Sequence, residues 1–90
     1  MWDLKERIAQ LLGSTGLTTG QLAQLMRERG DETVRGSQIR RELGSEKAPT
    51  PLWQRRLMLM AELLTKEQER QNAEVQKAVR RADKALSHAR

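Results

Sequence analysis

The 90-residue chain is poor in the side chains that build most metal and stacking sites. It has no cysteine, tyrosine or phenylalanine, only two tryptophans, and one histidine, His88. Without cysteine, neither a disulfide framework nor a thiolate metal site can form. With one histidine, only all-carboxylate metal sets remain possible. The scarcity of aromatic side chains also argues against recognition of unpaired bases, which proteins usually hold by stacking.

Catalytic and membrane-spanning motifs are also missing from the sequence. Gly13-Ser14-Thr15-Gly16 lacks the lysine and the spacing of a phosphate-binding loop. The longest apolar run, residues 57–64, is interrupted by Glu62 and is too short to span a bilayer. Acidic residues near the start do not fit a signal peptide. We therefore expect a cytoplasmic protein that is not an enzyme, with no cofactor, metal, small-molecule substrate or membrane partner.

The net charge of +5 is unevenly distributed along the chain. Residues 1–31 hold four basic and four acidic groups, whereas residues 32–57 hold six basic and three acidic groups. Residues 58–90 hold seven basic and five acidic groups. Such clustering of basic charge is typical of a protein that binds a polyanion.

The segment from Ser37 to Gly44 has the pattern of a short helix with a cap at each end. Ser37 is predicted as the N-cap, and Gly44 as the left-handed stop after the last turn. Ile39 and Leu43 are four residues apart and should share the inward face. The outward face then offers four polar side chains: Ser37, Gln38, Arg40 and Arg41.

This outward face suits contacts with duplex DNA. Arginine can bond guanine at two points, glutamine can bond adenine in the same way, and serine at a helix N-terminus can hold a phosphate. The plain alternative for an Arg-Arg pair is a solvated helix face. The segment is therefore a candidate recognition helix.

Two helices are predicted before this segment. The first begins at Asp3 with a capping-box pattern and ends at Gly13. The second follows a capping box formed by Thr18 and Gln21, and it runs to about Arg29.

A further helix is predicted to begin with Thr50 as its N-cap and Pro51 at its first position. Arg56 lies inside its apolar stripe, where it would either extend to solvent or find a carboxylate partner. A stripe this broad is typical of a central helix in a bundle or of one shared with a second subunit. Its members are Leu52, Trp53, Leu57, Leu59, Met60, Leu63 and Leu64.

Residues 66–87 contain no glycine or proline and should be helical, either continuing the fourth helix or following it. The sequence thus predicts an all-α fold of four short helices plus a long C-terminal helix. Residues 1–65 would form the DNA-binding domain, and residues 66–90 an Ala-rich, charged segment for dimerisation or a tail. A weak coiled-coil spacing of three and four residues supports pairing of this segment. It involves Val75, Ala78, Ala82, Ala85 and Ala89.

Residues 17–44 resemble the helix-turn-helix of phage and plasmid DNA-binding proteins. Leu17-Thr-Thr-Gly-Gln-Leu-Ala-Gln-Leu-Met is similar to the first helix of that motif, and Ser37-Gln-Ile-Arg-Arg-Glu-Leu to the second. The connector from Gly30 to Gly36 is about twice the usual three- or four-residue turn. The resemblance implies that the second helix enters the major groove.

Residues 33–57 also resemble the DNA-binding N-terminus of KfrA-like plasmid proteins, in which a helix ending in Leu-Gly precedes a helix with a small polar cap. Leu43-Gly44 and Thr50 occupy those places here. This second resemblance implies that the start of the helix over 51–64 reads the bases.

We therefore expect a sequence-specific double-stranded DNA-binding protein that acts as a homodimer. The resemblance implies a small transcriptional or replication-type regulator of phage or plasmid origin. The alternative is a protein-interaction module that binds another regulator or a polymerase subunit through helix 51–64 and the C-terminal helix. The expected DNA-binding residues are Arg35, Ser37, Gln38, Arg40, Arg41, Lys47, Arg55 and Arg56.

Overall fold

A computed structural model describes residues 3–88, with side chains through residue 86. Within these limits the fold is all-α, as predicted, with helices α1 (Asp3–Thr15), α2 (Thr19–Glu28), α3 (Gly36–Gly44) and α4 (Pro51–His88). The expected C-terminal helix is the unbroken continuation of α4, which has 38 residues. The molecule is therefore 60 Å long and only 28 by 17 Å across. Ala89, the last residue of the predicted coiled-coil spacing, lies outside the described residues.

Two of the predicted helix starts are confirmed. At α2, Thr18 Oγ1 accepts a hydrogen bond from the Gln21 N–H at 3.1 Å, and Gln21 Oε1 accepts one from the Thr18 N–H at 2.9 Å. At α4, Thr50 Oγ1 accepts from the Trp53 N–H at 3.4 Å, and Pro51 is the first helical residue. These caps depend only on residues three positions apart, which a sequence pattern captures.

Three predicted helix ends are wrong. Helix α1 continues past Gly13 to Thr15, and the left-handed residue that follows it is Gly16, at φ 75°. Helix α3 begins at Gly36 rather than after Ser37, so Ser37 is its second residue and not its N-cap. Gly44 is the last residue of α3 and has no positive φ; the extended Ser45 terminates the helix instead.

The core lies between α4 and the three shorter helices. Helix α4 packs mainly on α1, while α2 packs mainly on α3. Beyond Gln71 every described side chain of α4 is exposed, so the second half of that helix projects from the bundle. None of the described helices is both long enough and apolar enough to cross a membrane. The buried apolar residues are Ile8, Leu22, Ala23, Met26, Val34, Ile39, Leu57, Met60, Leu63 and Leu64.

Candidate nucleic-acid interface

Helix α3 is held tightly against the start of α2. A Cβ atom placed on Gly36 would lie 2.8 Å from the backbone nitrogen of Gly20 and 2.9 Å from its Cα. Real Cβ atoms do not approach backbone atoms so closely, so a glycine at 36 is required by the packing. The first turn of α3 therefore rests directly on the first turn of α2.

One face of α3 is inside the protein and the other faces solvent. Ile39 is fully buried, and Leu43 is partly buried against the same core. The predicted inward face is thus confirmed. The predicted outward residues are all exposed on the other side: Ser37, Gln38, Arg40 and Arg41.

Gln38 has a structural role that the sequence analysis did not assign to it. Its side-chain Oε1 accepts a hydrogen bond from the backbone N–H of Arg35 at 3.1 Å. The glutamine thereby satisfies the N-cap residue, which is half of a capping box. While this bond is formed, Gln38 offers a partner outside the protein chiefly its two amide N–H donors, because one carbonyl lone pair is engaged.

The long connector between α2 and α3 is fastened at both sides. Arg27 Nη1 donates to the carbonyl oxygen of Val34 at 2.9 Å, and the Val34 side chain is fully buried. On the other side, Arg56 of α4 donates to both carboxylate oxygens of Asp31 and to the Thr33 hydroxyl. The extra length compared with a compact helix-turn-helix is therefore ordered chain that sets the position of α3.

Arg56 takes the second of the two courses expected for it, since it pairs with a carboxylate inside the apolar stripe. It retains 7% of its exposure, and its guanidinium lies 4.9 Å from the centre of the Trp53 ring. Its hydrogen bonds go to Asp31 and Thr33. We therefore assign Arg56 to the framework that holds the connector and remove it from the expected DNA-contacting set.

The loop after α3 is fastened by a buried lysine. Lys5 of α1 retains 5% of its exposure, and its Nζ donates to the carbonyl oxygens of Ser45 at 3.0 Å and Lys47 at 3.1 Å. The same ammonium lies 3.4 Å from a carboxylate oxygen of Glu42 in the last turn of α3. A cation at this end of a helix also interacts favourably with the helix dipole. Lys5 thus fixes the C-terminal end of α3, while the side chain of Lys47 stays exposed.

The expected site residues fall into three places. Arg35, exposed, precedes α3 and belongs with the four outward side chains of that helix. Lys47 follows α3 in the fastened loop. Arg55 is exposed on α4, where it lines an open groove with Arg29, Leu52 and Leu59.

Sequence reasoning gave Lys5 and Gly36 no part in positioning this interface, and it allowed a carboxylate partner for Arg56 without identifying it. Lys5 and Arg56 bond to groups 40 to 42 and 23 to 25 positions away along the chain. Nothing in a local pattern identifies such partners. Another available signal was a glycine in the first turn of each helix, Gly20 and Gly36, because glycine permits close backbone approach when two helices pack.

No family model, curated protein or solved structure matches this chain.

Proposed function

We propose that the protein binds double-stranded DNA in a sequence-specific manner by inserting α3 into the major groove. The observation that carries this proposal is the exposed row of Ser37, Gln38, Arg40 and Arg41 on a helix whose other face is anchored by Ile39. A short helix held by its apolar side and presenting arginine and glutamine outward has the donors that read base edges.

Within this face, the roles follow from chemistry and position. Arg41, near the centre of the exposed face, is the candidate for two-point contact with guanine, and the Gln38 amide donors would bond a base acceptor. Ser37 lies in the first turn, where unpaired backbone N–H groups and the positive end of the helix dipole favour a phosphate. Arg35, Arg40 and Lys47 would contact the sugar-phosphate backbone on either side.

The structure favours α3 over α4 as the reading helix. In the first two turns of α4, Leu57 and Arg56 are buried and Trp53 is half-buried against the core. The side-chain amide of Gln54 donates to the carbonyl oxygen of Pro49 at 3.2 Å. Arg55 is the one cation of these turns exposed on the surface, so it would serve as an additional phosphate contact.

A single domain of this size offers few contacts, and symmetric dimers on two-part sites are the common solution for short recognition helices. We propose a homodimer acting in the cytoplasm as a small transcriptional or replication-type regulator of the kind found in phages and plasmids.

Fluorescence anisotropy of labelled duplexes tests the proposal. Random and genomic fragments are titrated with the full chain at several salt concentrations. We expect log affinity to fall linearly with log salt, and some fragments to bind well above the random background. No binding at low salt would refute DNA binding altogether.

A matched pair of variants assigns the contact to α3. Arg41→Ala should weaken binding to the preferred fragment by about 1–3 kcal/mol and relax specificity at one base position. Arg7→Ala removes the same charge from an exposed site on α1 beside Gln10 and Gln68, and it should have little effect. Equal losses in both variants would indicate a diffuse charge effect and would contradict reading by α3.

A second candidate function is supported by two exposed apolar side chains on α4. Leu52 retains 55% and Met58 retains 66% of its exposure. Leu52 also lines an open groove with the partly buried Leu59, and a contiguous exposed apolar patch is typical of a protein-binding surface. If α4 rather than α3 is the working surface, Met58→Glu should abolish partner binding and Arg41→Ala should leave it unchanged.

A further inference from the structure

One side of α4 carries rows of residues spaced seven apart along its length, and the other helices of the bundle cover only the first half of these rows. Residues seven apart lie about two turns apart on the same side of a helix. Two such rows run side by side along α4. The first row is Leu57, Leu64, Gln71, Ala78 and Ala85, and the second is Ala61, Gln68, Val75 and Ala82.

Helix α1 covers these rows as far as Gln71 and then ends. Gln68 Oε1 accepts a hydrogen bond from the Ser14 hydroxyl at 2.7 Å, and Gln71 Nε2 donates to the carbonyl oxygen of Thr15 at 2.9 Å. Ser14 and Thr15 are the last residues of α1. The covered part of the two rows is thus a helix–helix contact between α4 and α1 within one chain.

Past Gln71 this side of α4 is apolar and exposed to solvent. Val75, Val79 and Leu86 keep 61%, 53% and 68% of their exposure, respectively. We call the exposed end of the two rows, together with Val79 and Leu86 beside them, the distal seam; at about 100° per residue its members share an arc of about 120°. They are Val75, Ala78, Val79, Ala82, Ala85 and Leu86.

The charges of the same segment lie elsewhere on the helix. Helical geometry places three of the four basic residues of this segment opposite the distal seam and the fourth, Arg81, at its flank. The seam itself holds no cation that could bind nucleic acid. It also lacks the tryptophan, phenylalanine and repeated leucine that hold interfacial helices on lipid. Its chemistry fits an apolar helix. The basic residues are Lys77, Arg80, Arg81 and Lys84.

We infer that the distal seam packs against the distal seam of a second copy, with the two helices antiparallel. This inference rests on the homodimer of the proposed function and specifies its contact. Two copies present alanine and valine to each other, which allows close approach of the helices, while the basic sides face outward.

The position of α1 determines the antiparallel orientation. Helix α1 lies on the same side of α4 that the distal seam continues, and a helix with its side chains is about 10 Å across. In a parallel pair, the first half of the partner's α4 would have to lie where α1 already packs on α4. The partner's own α1 would crowd the same space. In an antiparallel pair centred near residues 80 and 81, the C-terminal end of the partner's α4 lies close to the end of α1. The two helices then lie one after the other along α4 without overlapping.

This register places valines of one seam against apolar side chains of the other. Val75 faces Leu86 of the partner subunit, and Val79 faces the partner's Ala82. The pair would bury at most about 1,000 Å², which is below the usual size of a stable interface, so the dimer is expected to be weak and reversible.

Cysteine pairing in the intact chain tests both the contact and its orientation. Because the natural sequence has no cysteine, each introduced thiol is unique. A disulfide requires Cα atoms within about 7 Å of each other. We expect Val75→Cys mixed with Leu86→Cys to give a mixed disulfide dimer, and Val75→Cys alone to give none. Efficient self-linking of Val75→Cys would overturn the antiparallel orientation.

Sedimentation equilibrium of matched variants tests the surface without cross-linking. Ala82→Glu, in the distal seam, should weaken self-association about tenfold or more because it buries a charge in each copy. Ala73→Glu makes the same change on the opposite side and should leave association within about twofold. Equal effects, or a monomer at millimolar concentration, would overturn the inference. Because no DNA is present, such a failure would leave DNA binding by α3 untouched.

Discussion

Arg56 and Asp31 form a two-point ion pair between α4 and the connector that precedes α3. The guanidinium Nε lies 2.8 Å from Oδ2, and Nη2 lies 3.0 Å from Oδ1. Nη2 also donates to the Thr33 hydroxyl at 3.0 Å. Planar, two-point pairs of this kind add geometric specificity as well as energy. The pair therefore ties the position of α3 to α4 although those two helices pack little on each other.

Asp31→Ala should destabilise the protein more than alanine substitutions at exposed neighbouring positions. The change leaves a buried guanidinium without its carboxylate, and we expect a loss of about 2–3 kcal/mol, less than for a fully buried pair because the Asp31 side chain keeps 19% of its exposure. Urea unfolding measures this, with Glu32→Ala as the exposed control. A loss no larger than that of the control would contradict the framework role of Arg56.

Alanine substitutions at two helical glycines should have opposite signs. Gly36→Ala pushes a methyl group against the backbone of Gly20, and we expect a loss of about 1–3 kcal/mol. Gly13→Ala meets no atom within 4 Å inside α1, and it should stabilise by about 0.5–1 kcal/mol. Thermal unfolding of the two variants gives the comparison. Equal stability would mean that α3 does not rest on α2 as described.

Lys5→Met should loosen the end of α3 while keeping the packing of the lysine stem. The variant loses the ammonium that bonds Ser45, Lys47 and Glu42, and we expect a cost of about 1–3 kcal/mol. Hydrogen exchange should quicken in residues 41–47 more than in α1. Uniform acceleration across the bundle would argue that Lys5 serves overall stability only.

Two substitutions at Gln38 separate capping from DNA contact. Gln38→Glu keeps an oxygen acceptor for the Arg35 N–H and adds a favourable negative charge near the helix N-terminus, so stability should hold or rise slightly. The same change removes the amide donors and repels phosphate, so DNA affinity should fall at least tenfold if α3 enters the groove. Unchanged DNA affinity in a stable Gln38→Glu variant would refute that placement.

The helicity of α4 should weaken at acid pH. A hydrogen bond from Arg70, three residues on, holds the pKa of Glu67 below its usual value of 4.5. The charged carboxylate therefore contributes to the helix above pH 4.5, and the contribution is lost as the pH falls through the lowered pKa. Circular dichroism at acid pH measures the loss, which Glu67→Gln should reduce.

Features that depend on neighbours in sequence could be predicted, and those that depend on distant partners could not. The capping box of Thr18 and Gln21 and the start of α4 at Thr50 follow from spacing alone, as does the inward face of Ile39. The start of α3 is different, because Gly36 must enter the helix to lie against Gly20, so the local preference of Ser37 for an N-cap is overridden. The exposed face of the candidate site could be predicted because it depends on the spacing of residues within one helix. The side chains that hold this helix in place could not, because their partners are distant along the chain. No local pattern marks Lys5, and the position of Arg56 in the apolar stripe allowed a carboxylate partner without identifying Asp31, because the acceptors of both side chains are distant along the chain.

The unbroken α4 also determines how the molecule moves through water. A compact protein of 90 residues has a radius of gyration of about 12 Å, whereas this chain has one of 17.0 Å. Friction rises with elongation at constant mass, so a monomer should diffuse slowly and leave a sizing column early. A mass calculated from the elution volume would be too high, and the monomer would be mistaken for a stable dimer. Light scattering or sedimentation, which report mass independently of shape, are needed to count the subunits.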